Sequence, residues 1–381
     1  MCGIVTICNY TKNLLDYDEK FMTMVSLLAK RGPDHEGYFL TPHCLMAHRR
    51  LSIIDIENGN QPMLYTFNDK IYRITYNGEI YNMMEIKNHL VSLGYTFQTM
   101  SDTEVVLASY IEYQENCLDL FEGIFAFVID DGDKLFVARD PLGVKPLYYY
   151  LEDETIVIAS EIKCILSYIG KAVVDQEGVK ELLGLGPSMT PGHTIYKGIY
   201  SLRPGYYMYF DGHCEPICYW KLHDEEHTDN LEETTQKVKE LVIDSVQKQL
   251  LSDVPLSTML SGGLDSSIIT AITKQYVQPL TTYSITYEDQ EKYFKAYDYQ
   301  TSMDDDYIRE MVERYQSDHH KITLKQLDLL NSLEEALIAR DMPGMADVDS
   351  SFLLFSKEIA KNHKVSLSGE CADEIFGGYP W

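Results

Sequence analysis

The sequence contains no long apolar run. No stretch approaches the roughly 18 consecutive apolar residues that a bilayer-spanning helix needs, so no membrane span is expected. A secretory pattern is missing as well. Lys12 follows the first apolar residues, and no extended apolar segment comes after Met1. Basic residues are few beside acidic ones, 32 against 59, giving a formal net charge of −27. A surface this acidic repels phosphate backbones and anionic lipid heads, which argues against nucleic-acid or membrane-surface binding. Dispersed charge of this kind reads first as a solubilising surface. The eight cysteines (Cys2, Cys8, Cys44, Cys117, Cys164, Cys214, Cys218 and Cys371) form no C-x-x-C pair and have no histidine at zinc-like spacing. Cys214 and Cys218 are the closest two and read as unrelated thiols. Scattered thiols suit a reduced, cytoplasmic setting. Repeats and low-complexity tracts are also absent.

What is present suffices for two folded units. The chain has 381 residues, 45% hydrophobic and 24% charged, which predicts about two domains with real cores. From Cys2 to about Phe210 the pattern is β-rich. Ile4–Ile7, Ile71–Tyr76, Phe125–Ile129 and Lys134–Ala138 have strand length and turn-like borders, and Asp131-Gly132 signals a hairpin. Helical spacing covers Asp18–Lys30, Asn82–Leu93 and Asp102–Tyr113. Strands and helices mixed in this way predict antiparallel sheets covered by helices. Residues 213–230, polar and acidic, read as a linker, leaving domains at 2–212 and 231–381. In the second, a helix over Leu231–Gln249 precedes a strand over Val254–Leu260, a helix over Ser266–Gln275 and a strand over Leu280–Thr286. Strand–loop–helix–strand order predicts a parallel sheet. Glu288–Asp306 reads as a loop, Asp306–Tyr315 and Leu333–Ile338 as helices, and Val365–Leu367 as a short strand.

Cys2 has unusual chemistry open to it. Methionine is commonly trimmed before small residues, which would leave Cys2 with a free α-amine. That amine titrates near about 7.7–8.0 and a thiol near about 8.5, so the amine can take the thiol proton close to neutral pH, directly or through a water. A lone cysteine means little by itself. Its company adds meaning: Arg50-Leu51-Ser52-Ile53-Ile54, Asn77-Gly78-Glu79 and Ser101-Asp102-Thr103-Glu104 all lie at strand or loop ends of the same half. A bidentate Arg suits an α-carboxylate. Two carboxylates suit an α-ammonium, and an Asn amide beside a Gly N–H suits a tetrahedral oxyanion. Together they would bind a free amino acid at its head and hydrolyse an amide at its tail. Arg31 and Asp34 read as a loop ion pair, Arg49 as structural and Cys8 as core.

Met1-Cys2-Gly3-Ile4, Arg31-Gly32-Pro33-Asp34, His48–Ile53, Tyr76–Asn82 and the Arg139-Asp140…Gly143…Pro146-Leu147-Tyr148 block resemble the class II, N-terminal-nucleophile glutamine amidotransferases. The resemblance implies the four-layer αββα sandwich of the Ntn hydrolases. It also implies Cys2 as nucleophile, Asn77 and Gly78 as the oxyanion hole, and a glutamine pocket of Arg50, Leu51, Ser52, Ile53, Ile54, Asn77, Gly78, Glu79 and Asp102.

Ser261-Gly262-Gly263-Leu264-Asp265-Ser266-Ser267 stands between the strand and helix expected for the second half. Glycines let a backbone approach an anion, a helix start presents free N–H groups, three hydroxyls add donors, and Asp265 can hold Mg²⁺. The loop lacks the Walker A lysine, which fits pyrophosphate leaving intact. It resembles the PP-loop of ATP pyrophosphatases, and the block Ser368–Tyr379 resembles the matching block of asparagine synthetases, with Cys371 where glycine is usual. By that resemblance Leu260, Ser261–Ser267, Ile285, Ser368 and Gly369 would contact ATP, Asp265 and Asp373 would bind Mg²⁺, and Glu370 would assist acyl-adenylate formation. The substrates implied are glutamine, aspartate and ATP, and a homodimer is compatible. Members of that family continue beyond the second block, so the PP-loop domain is expected to be partial and to expose an apolar face. The same two-domain plan could act on another carboxylate, or persist as a glutaminase alone or a non-catalytic module. The assembled set around Cys2 and the complete loop at 261–267 argue against the last.

Overall fold

The structure, a computed structural model, describes residues 1–296 and 302–378. Two compact units divide it, Met1–Glu225 and Glu226–Trp381.

Twelve strands build the first unit: β1 (Gly3–Cys8), β2 (His35–Leu40), β3 (Cys44–Arg50), β4 (Met63–Phe67), β5 (Lys70–Ile80), β6 (Gly123–Asp130), β7 (Leu135–Arg139), β8 (Tyr148–Glu152), β9 (Thr155–Ala159), β10 (Ile199–Ser201), β11 (Tyr206–Phe210) and β12 (Ile217–Cys218). They form two six-stranded sheets, ordered β10-β8-β9-β1-β3-β2 and β12-β11-β7-β6-β5-β4. Every pairing in them is antiparallel. Helices α1 (Asp18–Leu27) and α4 (Ile162–Ile169) cover the first sheet, and α2 (Met83–Ser92) and α3 (Asp102–Tyr113) cover the second. This is the αββα order that the resemblance implied. A further helix, α5 (Gln176–Leu185), follows α4.

Burial explains the strand composition. All six residues of β1 are buried, because helices cover one face and the second sheet the other. Ile4, Cys8, Cys44, Met46, Ala126, Val128, Leu135 and Val137 fill the space between the sheets. Ile74, Tyr76, Phe127, Phe136, Val106 and Tyr110 fill the space under α3, where the Tyr110 and Phe136 rings stack at 4.7 Å. Cys8 is therefore core, as expected. The Asp131-Gly132 hairpin forms with Gly132 at φ +92°.

Two boundaries differ from the sequence reading. β5 runs four residues past Tyr76 to Ile80, because the Asn77-Gly78-Glu79 segment stays paired to β6. The segment read as linker contains β12, paired to β11 through Tyr206↔Cys218.

The second unit holds a parallel sheet ordered β15-β14-β13-β16, from β13 (Leu256–Met259), β14 (Thr281–Tyr287), β15 (Asp318–Leu324) and β16 (Val365–Leu367). Around it lie α6 (Leu231–Lys248), α7 (Leu264–Tyr276), α8 (Gln290–Tyr293), α9 (Asp305–Tyr315), α10 (Gln326–Arg340), α11 (Ala346–Ile359) and α12 (Ala372–Phe376). α6 begins in a capping box, in which Asn230 Oδ1 accepts from Glu232 and Glu233 N–H and Glu233 accepts from Asn230 N–H. The expected helix at 333–338 is the C-terminal part of the longer α10, and β15 and α11 had no counterpart in the sequence reading. The short α8 lies in the segment read as a loop, part of which falls outside the described residues, as does Tyr379. Leu327, Leu330, Leu337, Phe352 and Ile375 are exposed apolar residues of this unit. Among the described residues, no helix is long and apolar enough to cross a membrane.

Phe136 is fully buried and stacked, so Phe136→Ala should cost about 3–5 kcal/mol. A denaturant titration following the first unit's near-UV signal should show its midpoint falling with little change in slope.

Candidate active site

The site is set by how β5 ends. Its register with β6 places Asn77 opposite Ala126 and Gly78 opposite Phe125. Phe125 exchanges both of its backbone bonds with Asp140, whose backbone N–H it accepts at 2.8 Å and whose carboxylate accepts its N–H at 3.2 Å. Alternation along an antiparallel ladder therefore turns the Gly78 N–H away from β6, to the outer edge of β5. β4 covers that edge only as far as Ile74. Beyond it, Tyr76 N–H donates to Gln61 Oε1 at 2.6 Å and Ile80 N–H donates to Asp102 Oδ2 at 3.1 Å. The Gly78 N–H lies between these two. A Cβ at Gly78 would sit 2.6 Å from the Ile124 carbonyl oxygen, so the close strand contact requires glycine.

The Asn77 side chain points the other way from Tyr76, into the layer between the sheets. It is 2% exposed, and its Nδ2 has no hydrogen-bond partner. Unpaired buried amides are uncommon and call for a reason. Next to it, His48 Nε2 donates to the Tyr76 carbonyl at 2.9 Å, and burial drives the His48 pKa down to about 3.

Cys2 continues β1 beyond the Gly3↔Arg49 pair. Its thiol donates to the Leu51 carbonyl at 3.7 Å, and its own carbonyl accepts from Arg31 Nε at 2.9 Å. Burial raises the thiol above its ordinary value, opposed by the positive charges of the N-terminus, Lys145 and Arg50. The Met1 amine donates to the Arg31 carbonyl, and burial lowers its pKa to about 6. Arg31 pairs with Glu161 at 3.3 Å rather than with Asp34, which instead accepts Ser52 N–H at 2.7 Å. The expected loop ion pair is thus replaced by a clamp on Cys2 from one side and on Ser52 from the other. Arg49 pairs with Glu36, a structural role as expected.

Asp102 opens α3 behind its cap, Ser101, whose hydroxyl accepts Thr103 N–H. Oδ2 of Asp102 accepts from the Tyr76 hydroxyl at 2.7 Å as well as from Ile80. Burial raises its pKa despite those bonds, and burial also raises that of Glu79, opposed chiefly by Lys145. Arg50 departs from expectation. Nη1 donates to the Ile56 carbonyl and Asn60 Oδ1, and Nη2 donates to the Ile54 and Asp55 carbonyls, all within 3.0 Å. The terminal guanidinium nitrogens are thus committed to the turn after β3, and no bidentate face is left open for a carboxylate. Leu51, Ser52, Ile53 and Ile54 line this turn beside Cys2, with Ser52 buried and the two isoleucines half-buried.

One residue of the neighbourhood was passed over in the sequence. Lys145 lies inside the Arg139–Tyr148 block, is 7% exposed, and faces Glu79 and Cys2. Its signal was a lysine between Gly143 and Pro146, in a block already quoted for other positions.

In the second unit the Gly262–Ser267 loop joins β13 to α7. Gly262 has φ +82°, a conformation that favours glycine. The Ser261 and Ser266 hydroxyls bond each other at 2.9 Å, and Ser261 Oγ accepts Gly263 N–H. Asp265 and Ser267 are half-buried in the first turn of α7, and Leu264 is exposed. A Cβ on Gly369 would lie 3.0 Å from the Asp265 Cβ and from Ser266 N, so the structure brings the Ser368-Gly369 segment against the loop. Leu260 is buried and its N–H donates to the Tyr283 carbonyl. Ile285 packs against the Tyr283–Phe355–Ile359 cluster, which leaves its backbone rather than its side chain for a ligand. Glu370 is exposed and Asp373 half-buried. Among the described residues, no group of three or more His, Cys, Asp or Glu could hold a metal. Cys371 adopts φ +71°, the left-handed conformation that accounts for glycine as the usual residue there.

The chain matches the family described as "Glutamine amidotransferase domain" over residues 1–220 and that described as "Asparagine synthase" over 237–381. Asparagine synthetase [glutamine-hydrolyzing] 3 of Bacillus subtilis is 48% identical over all of this chain and 64% of its own length. A putative asparagine synthetase of Methanocaldococcus jannaschii is 32% identical over all of this chain and 76% of its own. The chain belongs to the glutamine-hydrolysing asparagine synthetases. Asparagine synthetase B of Escherichia coli is 30% identical, again over all of this chain and 66% of its own length. The chain thus spans about two thirds of the length of these relatives.

His48 gives a pH prediction. Its folded pKa is about 3 against an ordinary value near 6.5, so between these values the unfolded chain binds the extra proton. Stability then rises with pH, by up to about 1.4 kcal/mol per pH unit from this group. It is fully present above pH 6.5 and lost as pH falls toward 3. His48→Gln should flatten the stability–pH curve in that window, read from urea midpoints at pH 7, 5.5 and 4.5.

Proposed function

We propose that the first unit hydrolyses glutamine at Cys2 and that the chain is the corresponding part of an enzyme that passes the ammonia to an activated aspartate. The observation that carries this reading is the buried, unpartnered Asn77 Nδ2, next to Gly78 with its N–H turned to the outer edge of β5, on the same strand end as Glu79, which shares its Lys145 neighbour with Cys2. An amide donor beside a backbone N–H suits an oxyanion.

The chemistry follows from the residues. After removal of Met1 the Cys2 amine takes the thiol proton, and Sγ attacks the side-chain amide carbon of glutamine. The tetrahedral oxyanion is held by Asn77 and Gly78. Its collapse breaks the C–N bond, and ammonia leaves with the proton from the amine. Water then cleaves the thioester, giving glutamate and the free thiol. Burial lowers the pKa of the Met1 amine to about 6, and a shift in the same direction at the Cys2 amine, one residue further in, would favour the free base this scheme needs. Glu79 and Asp102 are assigned to the substrate α-ammonium. Arg50 is assigned the shaping of the 51–56 turn, and its direct contact with the α-carboxylate would require the turn's carbonyls to release it.

In the second unit we assign the 261–267 loop, Ser368 and Gly369 to the phosphates of ATP, with the backbone at Leu260 and Ile285 toward the nucleotide. Asp265 and Asp373 fit a Mg²⁺ ion only as part of a ligand set completed by phosphate oxygens, since two carboxylates make no cage alone. Glu370 is assigned to the acyl-adenylate step, in which the aspartate β-carboxylate displaces pyrophosphate and ammonia then displaces AMP. A cytoplasmic setting and a homodimer are compatible with this reading.

With a verified free Cys2 amine, the full chain should release glutamate from glutamine and Cys2→Ala should release none. No release from the parent protein overturns the glutaminase reading. Asn77→Ala should lower kcat by roughly 10²–10³-fold with KM little changed, because the lost bond forms to the oxyanion. The nucleotide half is read by pyrophosphate release from ATP with Mg²⁺, which should depend on added aspartate.

A further inference from the structure

A lysine buried to 7% exposure is unusual unless it is paired or has work to do. Lys145 is fixed at the backbone from two sides. Its N–H donates to Asp140 Oδ2 at 3.0 Å, and its carbonyl accepts from Arg139 Nε at 2.7 Å. Asp140 also accepts the N–H groups of Leu142, Val144 and Phe125. Arg139 donates to the Gly143 and Leu202 carbonyls. The 140–146 turn is thus held rigidly against β6, and it delivers the Lys145 ammonium to the end of β5. The titratable groups facing that ammonium are Glu79, Cys2, Arg31 and Asp140, and burial lowers its own pKa, opposed chiefly by Glu79. From the other side, Cys2 meets the N-terminus and Arg50 as further positive groups, and Glu79 meets Asp102 as a like charge. Arg50 spends its terminal donors on backbone carbonyls and Arg31 is paired with Glu161. Among the described residues neither Arg50 nor Lys145 has a carboxylate in ion-pair contact, and of the two Arg50 has its terminal donors taken up by the 54–60 turn.

We infer that Lys145 is a positioning residue of the Cys2 centre, whose ammonium keeps the Glu79 carboxylate ionised and in place and favours the thiolate form of Cys2. This rests on the glutaminase reading for its purpose, but not for its test. Burial raises the pKa of Glu79, of Asp102 and of the Cys2 thiol by desolvation, and Asp102 adds like-charge repulsion at Glu79. A cation in the same dry volume counters both. It acts in the free enzyme as well as in turnover, which makes it measurable without substrate.

The experiment is alkylation of Cys2 by iodoacetamide in the full chain, with Met1 removed, as a function of pH. The adduct at Cys2 is quantified by peptide mass spectrometry. Lys145→Met should shift the alkylation midpoint upward by about one pH unit, so that the rate at pH 7 falls about tenfold. Lys145→Arg should restore most of it, which a purely packing role would not do for a longer, planar side chain. Lys145→Gln provides a second neutral variant should the methionine form fail to fold. An alkylation midpoint unchanged in the folded neutral variants, or unrescued by arginine, overturns the proposal. Glutamate release is measured in parallel. Its absence in the parent protein would overturn the glutaminase reading while the thiol titration still decides the role of Lys145.

Discussion

The outer edge of β5 is the constraint from which the first unit's site follows. A strand that outruns its neighbour inside a covered sheet leaves every second N–H without a ladder acceptor, and each such group costs about 1–3 kcal/mol if nothing replaces the bond. At Tyr76 and Ile80 the replacements are the side chains of Gln61 and Asp102. Gln61 is itself held by Thr103, and Asp102 by the Tyr76 hydroxyl. The N-terminus of α3 is therefore tied to the end of β5 by the same bonds that satisfy the edge. Between them lie Gly78 and the orphaned Asn77 amide. An unfilled amide donor in a dry layer calls for a reason, and a ligand that accepts from it is one.

Burial sets the electrostatics of this site more than any single pair does. The thiol, Glu79 and Asp102 are all pushed toward their neutral forms, and the Met1 amine toward its free-base form. Met1 has a direct consequence here. While it remains, the Cys2 nitrogen is an amide with no basicity, and the buried thiol stays protonated at neutral pH. Its removal converts the same nitrogen into an amine in surroundings that already disfavour the ammonium. One cleavage therefore changes the base without rearranging the fold, since Cys2 is held by Arg31 through its carbonyl and by β1 through Gly3.

Much of this was legible in the sequence, and what was not has physical reasons. The strands at 4–7, 125–129 and 134–138 and the helix at 102–113 follow directly from apolar periodicity, and Asn77-Gly78-Glu79 stood out because those residue types share a chemistry. Arg50 was read as a clamp for an α-carboxylate, and its donors could not be followed, because the turn at 54–56 folds back on it in a way no local propensity encodes. Arg31 looked nearest to Asp34 along the chain, and its partner Glu161 lies 130 residues away. β15 escaped because Asp318-His319-His320-Lys321 is polar at an exposed sheet edge, with no alternation to betray it. α11 escaped because it opens on Asp347, Asp349, Ser350 and Ser351, residues that read as a loop after Pro343-Gly344. β12 is a two-residue pairing in a polar stretch, below the length at which a strand pattern exists.

The second unit shows the opposite balance: its loop was plain in sequence, while the reason for its shape needed the structure. Gly262 takes the left-handed turn that starts the loop, and Gly369 makes the contact that closes it against Asp265 and Ser266. Gly262 is favoured for its conformation and Gly369 for a tight approach that leaves little room for a Cβ. Cys371 has neither excuse. It occupies the left-handed region at φ +71° with a Cβ, at a cost of roughly 1–2 kcal/mol. The chain holds this left-handed geometry at the entry to α12 in spite of the Cβ. That turn places Glu370 just before α12 and Asp373 in its first turn, so the strained residue sets the spacing between the carboxylate assigned to acyl-adenylate formation and the one assigned to Mg²⁺.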